Sequence, residues 1–309
     1  MRANRHITAR HSPEGSSRVT RHLKGLLITA TGIVLLSPDS LIIRLIDTSH
    51  ANVLFWRGLL VFQGMLLLIT WVHGRQSVQA FRAIGLPGVG AMFMWTLSSL
   101  FFVSALFHTS VANTLVLLST SPVFAAFVSW LWLRETIGLH TVLAIVVLTA
   151  SVGLIVSDGY QQGHWAGDLF ALGASLCLAC TFVFTRKAGD CDMTPAVALS
   201  GLLVALIALP FATPLPLSLE ANLLFALLGI VLTISLTLLF VGPRYIPAPE
   251  VSLMLPLETV LGTGLVWLVL DEQPTASTLL GGAIVIATLI VHSMVALRRS
   301  RRHTTVSAD

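Results

Sequence analysis

Residues 111–135 read VANTLVLLSTSPVFAAFVSWLWLRE, and residues 248–272 read APEVSLMLPLETVLGTGLVWLVLDE. Superposed at an offset of 137 residues, Ser121 falls on Glu258, Pro122 on Thr259, Leu131 on Leu268 and Glu135 on Glu272. Both are apolar runs long enough to cross a bilayer, which takes about 20 residues. Both carry a proline within the run and close on an acidic residue. A chain that repeats such a segment at this distance is built from two copies of one unit.

Working outward from this pair, ten apolar runs of spanning length divide the chain. They lie near 24–46, 52–73, 84–107, 110–133, 139–157, 166–186, 194–213, 221–241, 249–270 and 276–297. Residues 23–157 form the first copy and residues 164–297 the second, with basic tails at 1–22 and 298–309 that are expected to be disordered. Lipid offers no partner to a bare N–H or C=O, so every span is expected to be helical. Five spans per copy is an odd number, so the second copy enters the membrane in the opposite sense. The expected fold class is therefore all-α integral membrane, with ten transmembrane helices as two inverted five-helix repeats. Two inverted halves around a midplane site form a transporter architecture.

Composition agrees. Hydrophobic residues make up 55% of the chain, charged residues 10%, and mean hydropathy is +0.87; soluble domains carry about 25% charged residues. The first apolar run is too long for a signal-peptide core and is expected to remain as an anchor. Cys177 and Cys180 form a CxxC inside an apolar helix without His or acidic neighbours, which reads as packing. No cofactor and no metal is expected.

The 18 Lys and Arg residues orient the chain. With a cytoplasmic N-terminus, 16 of them fall in the two tails or in cytoplasmic loops, among them Arg75, Arg82, Arg134, Arg186, Lys187 and Arg244. Arg44 and Arg57 flank the outer end of the first hairpin. This asymmetry follows the positive-inside rule and puts both termini in the cytoplasm of an inner-membrane protein. The pI of 9.4 then reflects contact with anionic membrane lipids, and no nucleic-acid partner is expected.

The two copies resemble the EamA-type ten-helix carriers of the drug/metabolite transporter (DMT) superfamily. The likeness rests on the small-residue openings Lys24-Gly25-Leu26-Leu27 and Ala166-Gly167-Asp168-Leu169, on Phe55-Trp56-Arg57-Gly58 at the start of the second helix, and on the fourth-helix pattern quoted above. The chain departs from the family where Glu-Pro-Val becomes Glu258-Thr259-Val260, with proline displaced to Pro256, and at Asp39, where an apolar residue is commoner. The resemblance implies a secondary carrier of small polar metabolites, amino acids or related compounds, exported across a bacterial inner membrane.

Ionisable residues within spans are expensive, about 2.5–3.5 kcal/mol on insertion scales, so each marks a candidate site. Asp39 and Arg57 lie at similar depths on helices joined by a short hairpin. They are expected to form an ion pair or to hold a zwitterionic substrate; a pair that only fixes packing is the competing reading. Arg44, at the interface, is expected to reach lipid headgroups. Glu258 lies near the midplane, and Thr120, Ser121, Glu258 and Thr259 are expected to face one another across the pseudo-twofold axis. Pro122 and Pro256 are expected to interrupt their helices there. Glu258 and Asp39 are candidates for proton coupling, and Trp95 and Trp56 for the cavity wall. Repeat-equivalent Asn113 and Glu250 read as symmetric gate residues or as helix caps. Glu135, Glu272 and Asp168 read as cap anions.

No Walker motif is present, and no HxxxxD, HExxH or GxSxG suggests an enzyme. The expected partner is a small-molecule substrate. Alternatives are a nucleotide-sugar or other anionic-metabolite carrier, and a non-transporting structural protein. Oligomeric state is left open by the sequence.

Overall fold

The computed structural model describes residues 14–133, 139–161, 163–189, 191–213, 218–241 and 255–306, all of them helices and connecting turns. The first span is split into α1 (Glu14–Leu36) and α2 (Asp39–Leu45); α3 (His50–His73) is the second, followed by the short α4 (Ser77–Ala83), and α5 (Gly85–His108) is the third. The fourth is split into α6 (Val111–Leu118) and α7 (Ser121–Leu133). Then come α8 (Leu139–Gln161), α9 (Trp165–Ala188), α10 (Thr194–Ala208), α11 (Leu219–Val241), α12 (Leu255–Leu270) and α13 (Ala276–Val306) as spans five to ten. Among the described residues seven spans are long and apolar enough to cross a membrane, and the shorter apolar helices Val142–Val156, Leu257–Leu270 and Ala276–Thr288 belong to spans five, nine and ten.

The two splits have a common cause. Pro38 has no N–H to return to the carbonyl four residues back, so the helix opens at Ser37-Pro38. There the Ser37 amide (3.0 Å) and Oγ (2.9 Å) both bond the Ile33 carbonyl. Pro122 acts likewise on the fourth span, which opens at Ser119-Thr120. The first span, read from the sequence as a single run near 24–46, is therefore two helices. Pro256 has no such effect within α12, because it stands in the first turn, where its missing N–H would be unpaired anyway. Serine starts three spans by capping: Ser49 Oγ accepts from the Asn52 amide, Ser110 Oγ from the Asn113 amide and Ser218 Oγ from the Ala221 amide. The basic tails also differ from expectation, since α1 begins at Glu14 and α13 runs to Val306.

Packing follows a twofold scheme. Span two lies against span seven, four against nine and five against ten, while span one packs on eight and span three on six. Exchanging every span for its counterpart five along maps this set onto itself. Hydrophobic burial gives lipid-embedded helices little drive to associate, so close approach and hydrogen bonds must serve. Glycines permit that approach where spans two and seven cross. A Cβ on Gly58 would stand 2.6 Å from the Gly201 carbonyl oxygen, and one on Gly201 would stand 2.7 Å from that of Gly58. Around this crossing runs a core that includes Ile43, Val53, Met65, Val103, Leu106, Leu228 and Leu232.

Candidate functional site

Between the halves lies an open cavity, bounded by residues from spans one, two, three, four, six, seven, eight and nine. Its polar face is built mainly from the first copy. Asp39 opens α2, directly after the Pro38 break, and is buried. Arg57, two turns into α3, reaches it with Nη2 donating to Oδ2 at 2.7 Å and Nε donating to Oδ1 at 3.4 Å. Arg57 Nη1 donates to Ser99 Oγ at 2.7 Å, and its guanidinium carbon stands 5.7 Å from the Phe102 ring centre. These three bonds leave two of the five guanidinium N–H groups for another partner. The paired side chains are only 13% and 7% exposed, which makes this a desolvated pair and not a surface contact.

Trp95, Ser98, Ser99 and Phe102 present one face of α5 to the same cavity, following the i, i+3, i+4, i+7 pattern of a helix face. Of these, sequence reasoning singled out Trp95 alone; the spacing from Trp95 to Phe102 was the available signal. Trp56 is turned away, packing on Phe55 and on Phe225 at ring separations of 5.5 and 6.0 Å. Glu258, in the first turn of α12, faces the cavity from the second copy.

Glu258 also borders a smaller chamber, walled by Leu115, Leu118, Ser119, Ser121, Leu178 and Thr259. This chamber sits at the break between α6 and α7. The break deprives the Leu118 carbonyl of an amide, since Pro122 has none, and hydroxyls gather on it and on its neighbours, of which Leu115 O also keeps the Ser119 amide at 3.0 Å. Thr259 Oγ1 donates to Leu115 O (3.2 Å), Ser119 Oγ to Val116 O (2.7 Å), Thr120 Oγ1 to Leu117 O (2.6 Å) and Ser175 Oγ to Leu118 O (3.2 Å). The structure thus brings Ser121, Glu258 and Thr259 together. Thr120 is the exception in the expected group of four: its hydroxyl turns to Leu117 and Ser175 instead.

A second polar cluster closes the end of the bundle that bears Arg44. Asp168 Oδ1 accepts from Thr109 Oγ1 (2.8 Å) and Asn113 Nδ2 (3.3 Å), and Asn113 Oδ1 accepts from Thr278 Oγ1. Glu272 accepts from the Val111 amide at 2.9 Å and lies 3.7 Å from Arg44, which donates to the Thr109 carbonyl at 2.8 Å. Spans one, four, six, nine and ten therefore meet here through side chains. Arg44, expected to reach lipid, binds protein. Glu272 caps the fourth span and not the one that follows it. Asn113 lies in this cluster, away from the cavity, while Glu250 and Glu135 fall outside the described residues. At the opposite end His73 Nε2 lies 4.0 Å from Asp192 Oδ2, and Cys191 Sγ bonds the Ala83 carbonyl.

Residues 23–157 and again residues 165–294 match the model of the EamA-like transporter family. Among solved structures the chain is similar to one described as "Crystal structure of protein", at 16% identity, 89% coverage of this chain, 99% of that chain and a TM-score of 0.66. Identity this low speaks to fold alone. A comparison with curated proteins finds no match.

Proposed function

The chain belongs to the EamA-like transporter family, within the DMT superfamily, and on that premise we propose that it carries a small zwitterionic metabolite, an amino acid or a close relative, by alternating access. The observation that carries this reading is the composition of the cavity. Asp39 and Arg57 neutralise each other, Arg57 retains unused donors, and Glu258 adds a carboxylate on the facing wall. A planar guanidinium suits a substrate carboxylate, since it offers paired N–H donors. Glu258 suits an ammonium group. Trp95 and Phe102 supply the apolar wall that a side chain of the cargo would touch.

Closure of the Arg44 end by the Asp168 and Glu272 contacts supports an arrangement sealed on that side, which is the outer side in our orientation of the chain. Transport outward across an inner membrane then follows from rupture of these contacts once substrate has loaded from the cytoplasm. Proton coupling through Glu258 is part of the same reading. A nucleotide-sugar cargo is less well supported, because Arg57 is the single Lys or Arg among the described lining residues and its charge is already compensated by Asp39.

The test is counterflow of radiolabelled amino acids into proteoliposomes containing the full chain. Saturable uptake against preloaded substrate, reduced at least tenfold in Arg57→Gln, is the expected result. Glu258→Gln should weaken counterflow and remove its dependence on an imposed pH gradient. Absence of counterflow for all twenty amino acids, with uptake of nucleotide sugars, would replace this cargo with the other.

A further inference from the structure

We propose that the smaller chamber at the α6–α7 break is a binding site for one monovalent cation, Na⁺, held by Glu258, Ser121, Thr259 and Ser119. The inference deepens the transport reading and rests on it for the purpose of the site. The chamber's existence and chemistry do not depend on it.

The first observation is Ser121. Its side chain is fully buried, its Oγ has no hydrogen-bond partner, and it borders the chamber. Buried hydroxyls are rarely left so, because an unmade bond costs about 1–3 kcal/mol. The second is the state of the neighbouring hydroxyls. Thr259 and Ser119 have each given their single proton to a backbone carbonyl, Leu115 and Val116. What they retain toward the chamber is lone pairs. Glu258 adds a carboxylate. The wall thus offers mainly lone pairs and one carboxylate, with the Ser121 hydroxyl the one free donor among the described lining residues, and suits a hard cation. Helix dipoles do not decide the sign there, since α6 ends at Leu118 while α7 begins at Ser121 and α12 places Glu258 in its first turn.

Charge limits the occupant. Asp39 and Arg57 cancel, so among the described residues Glu258 contributes the one uncompensated charge lining the two cavities, which share it. A monovalent ion makes the site neutral, whereas a divalent ion would leave a net positive charge in a low-dielectric interior. No cluster of three His, Cys, Asp or Glu side chains occurs among the described residues, which also disfavours a transition metal. Because a zwitterion adds no net charge, one cation per substrate restores neutrality with Glu258 ionised. The site therefore predicts one-to-one coupling for such a cargo.

The experiment is equilibrium binding of ²²Na⁺ to the purified full chain in detergent, without substrate. Saturable binding near one ion per chain, displaced by Li⁺ and by protons and not by choline, is expected. Ser121→Ala and Glu258→Gln should each weaken it by roughly 10-fold or more, the worth of one or two contacts to a charged group. Ser121→Thr, which keeps the oxygen, should bind as wild type and carries the argument if the alanine variant fails to elute as monodisperse protein. Absence of saturable binding, or binding unchanged in monodisperse Ser121→Ala, overturns the proposal. Counterflow that persists without Na⁺ binding would sink this site and leave the transport reading standing; Na⁺ binding with no flux would do the reverse.

Discussion

Consider the loss of Asp39 by replacement with Asn. Arg57 would keep its bond to Ser99 and its contact with Phe102 but would lose the anion that neutralises it. Breaking one partner of a buried pair costs about 3–5 kcal/mol. With 13% of the Arg57 side chain exposed and Ser99 retained, the lower end applies, about 3 kcal/mol. Proteins of a few hundred residues lose roughly 2–4 °C of melting temperature per kcal/mol, so Asp39→Asn should melt about 6–12 °C lower in detergent. The double variant Asp39→Arg/Arg57→Asp restores opposite charges and should recover much of that loss. It should not recover transport, because the guanidinium would then project from α2 and not from α3 beside Ser99 and Phe102. Thermal unfolding followed by size-exclusion fluorescence, paired with counterflow, reads both quantities. A swapped variant that transports at the wild-type rate would refute the substrate role and reduce the pair to a packing device.

Gly201→Val should cost about 1–3 kcal/mol and lower the melting temperature, since its Cβ would meet the Gly58 carbonyl at 2.7 Å; Gly264→Ala, with no atom within 4 Å, is the control that should melt as wild type. Glu272→Gln weakens the contact with Arg44 and the cap on Val111, by about 1 kcal/mol. The Arg44 end should then open more often, seen as roughly 5-fold faster maleimide labelling of Ser99→Cys in a background lacking Cys177, Cys180 and Cys191; unchanged labelling would remove the gate role from this cluster. In the same background, Arg134→Cys and Asp271→Cys should react with membrane-impermeant maleimide from opposite sides of the membrane, and reaction from one side would contradict the reversal of the second copy.

The repeat was legible because proline, terminal glutamate and apolar length are properties of composition and spacing, which survive divergence. The meeting of Asp39 and Arg57 was legible for a similar reason: a short hairpin fixes their relative depth. What the sequence concealed was direction. Nothing in the string tells whether Thr120 turns toward the axis or toward Ser175, and the answer depends on the Leu117 and Leu118 carbonyls released by the break at Pro122. Arg44 was misjudged in the same way, and the partner of Asn113 was hidden for the same reason. Each has a partner more than 50 residues distant along the chain, Thr109 for one and Thr278 for the other, and periodicity carries no information about such encounters. Ser99 was passed over because a serine in an apolar helix is unremarkable until an arginine is seen to reach it.

The carbonyl of Leu118 invites a last inference about ancestry. It lies in the first repeat, yet the hydroxyl that satisfies it, Ser175, belongs to the second, as does Thr259, which serves Leu115. A solitary five-helix copy in hydrocarbon would leave the Leu118 oxygen bare, at a cost of several kcal/mol. A half-length forebear of this chain could thus persist in lipid only as two molecules inserted in opposite senses, each lending hydroxyls to the other's severed helix, and gene fusion would have joined partners already obliged to meet.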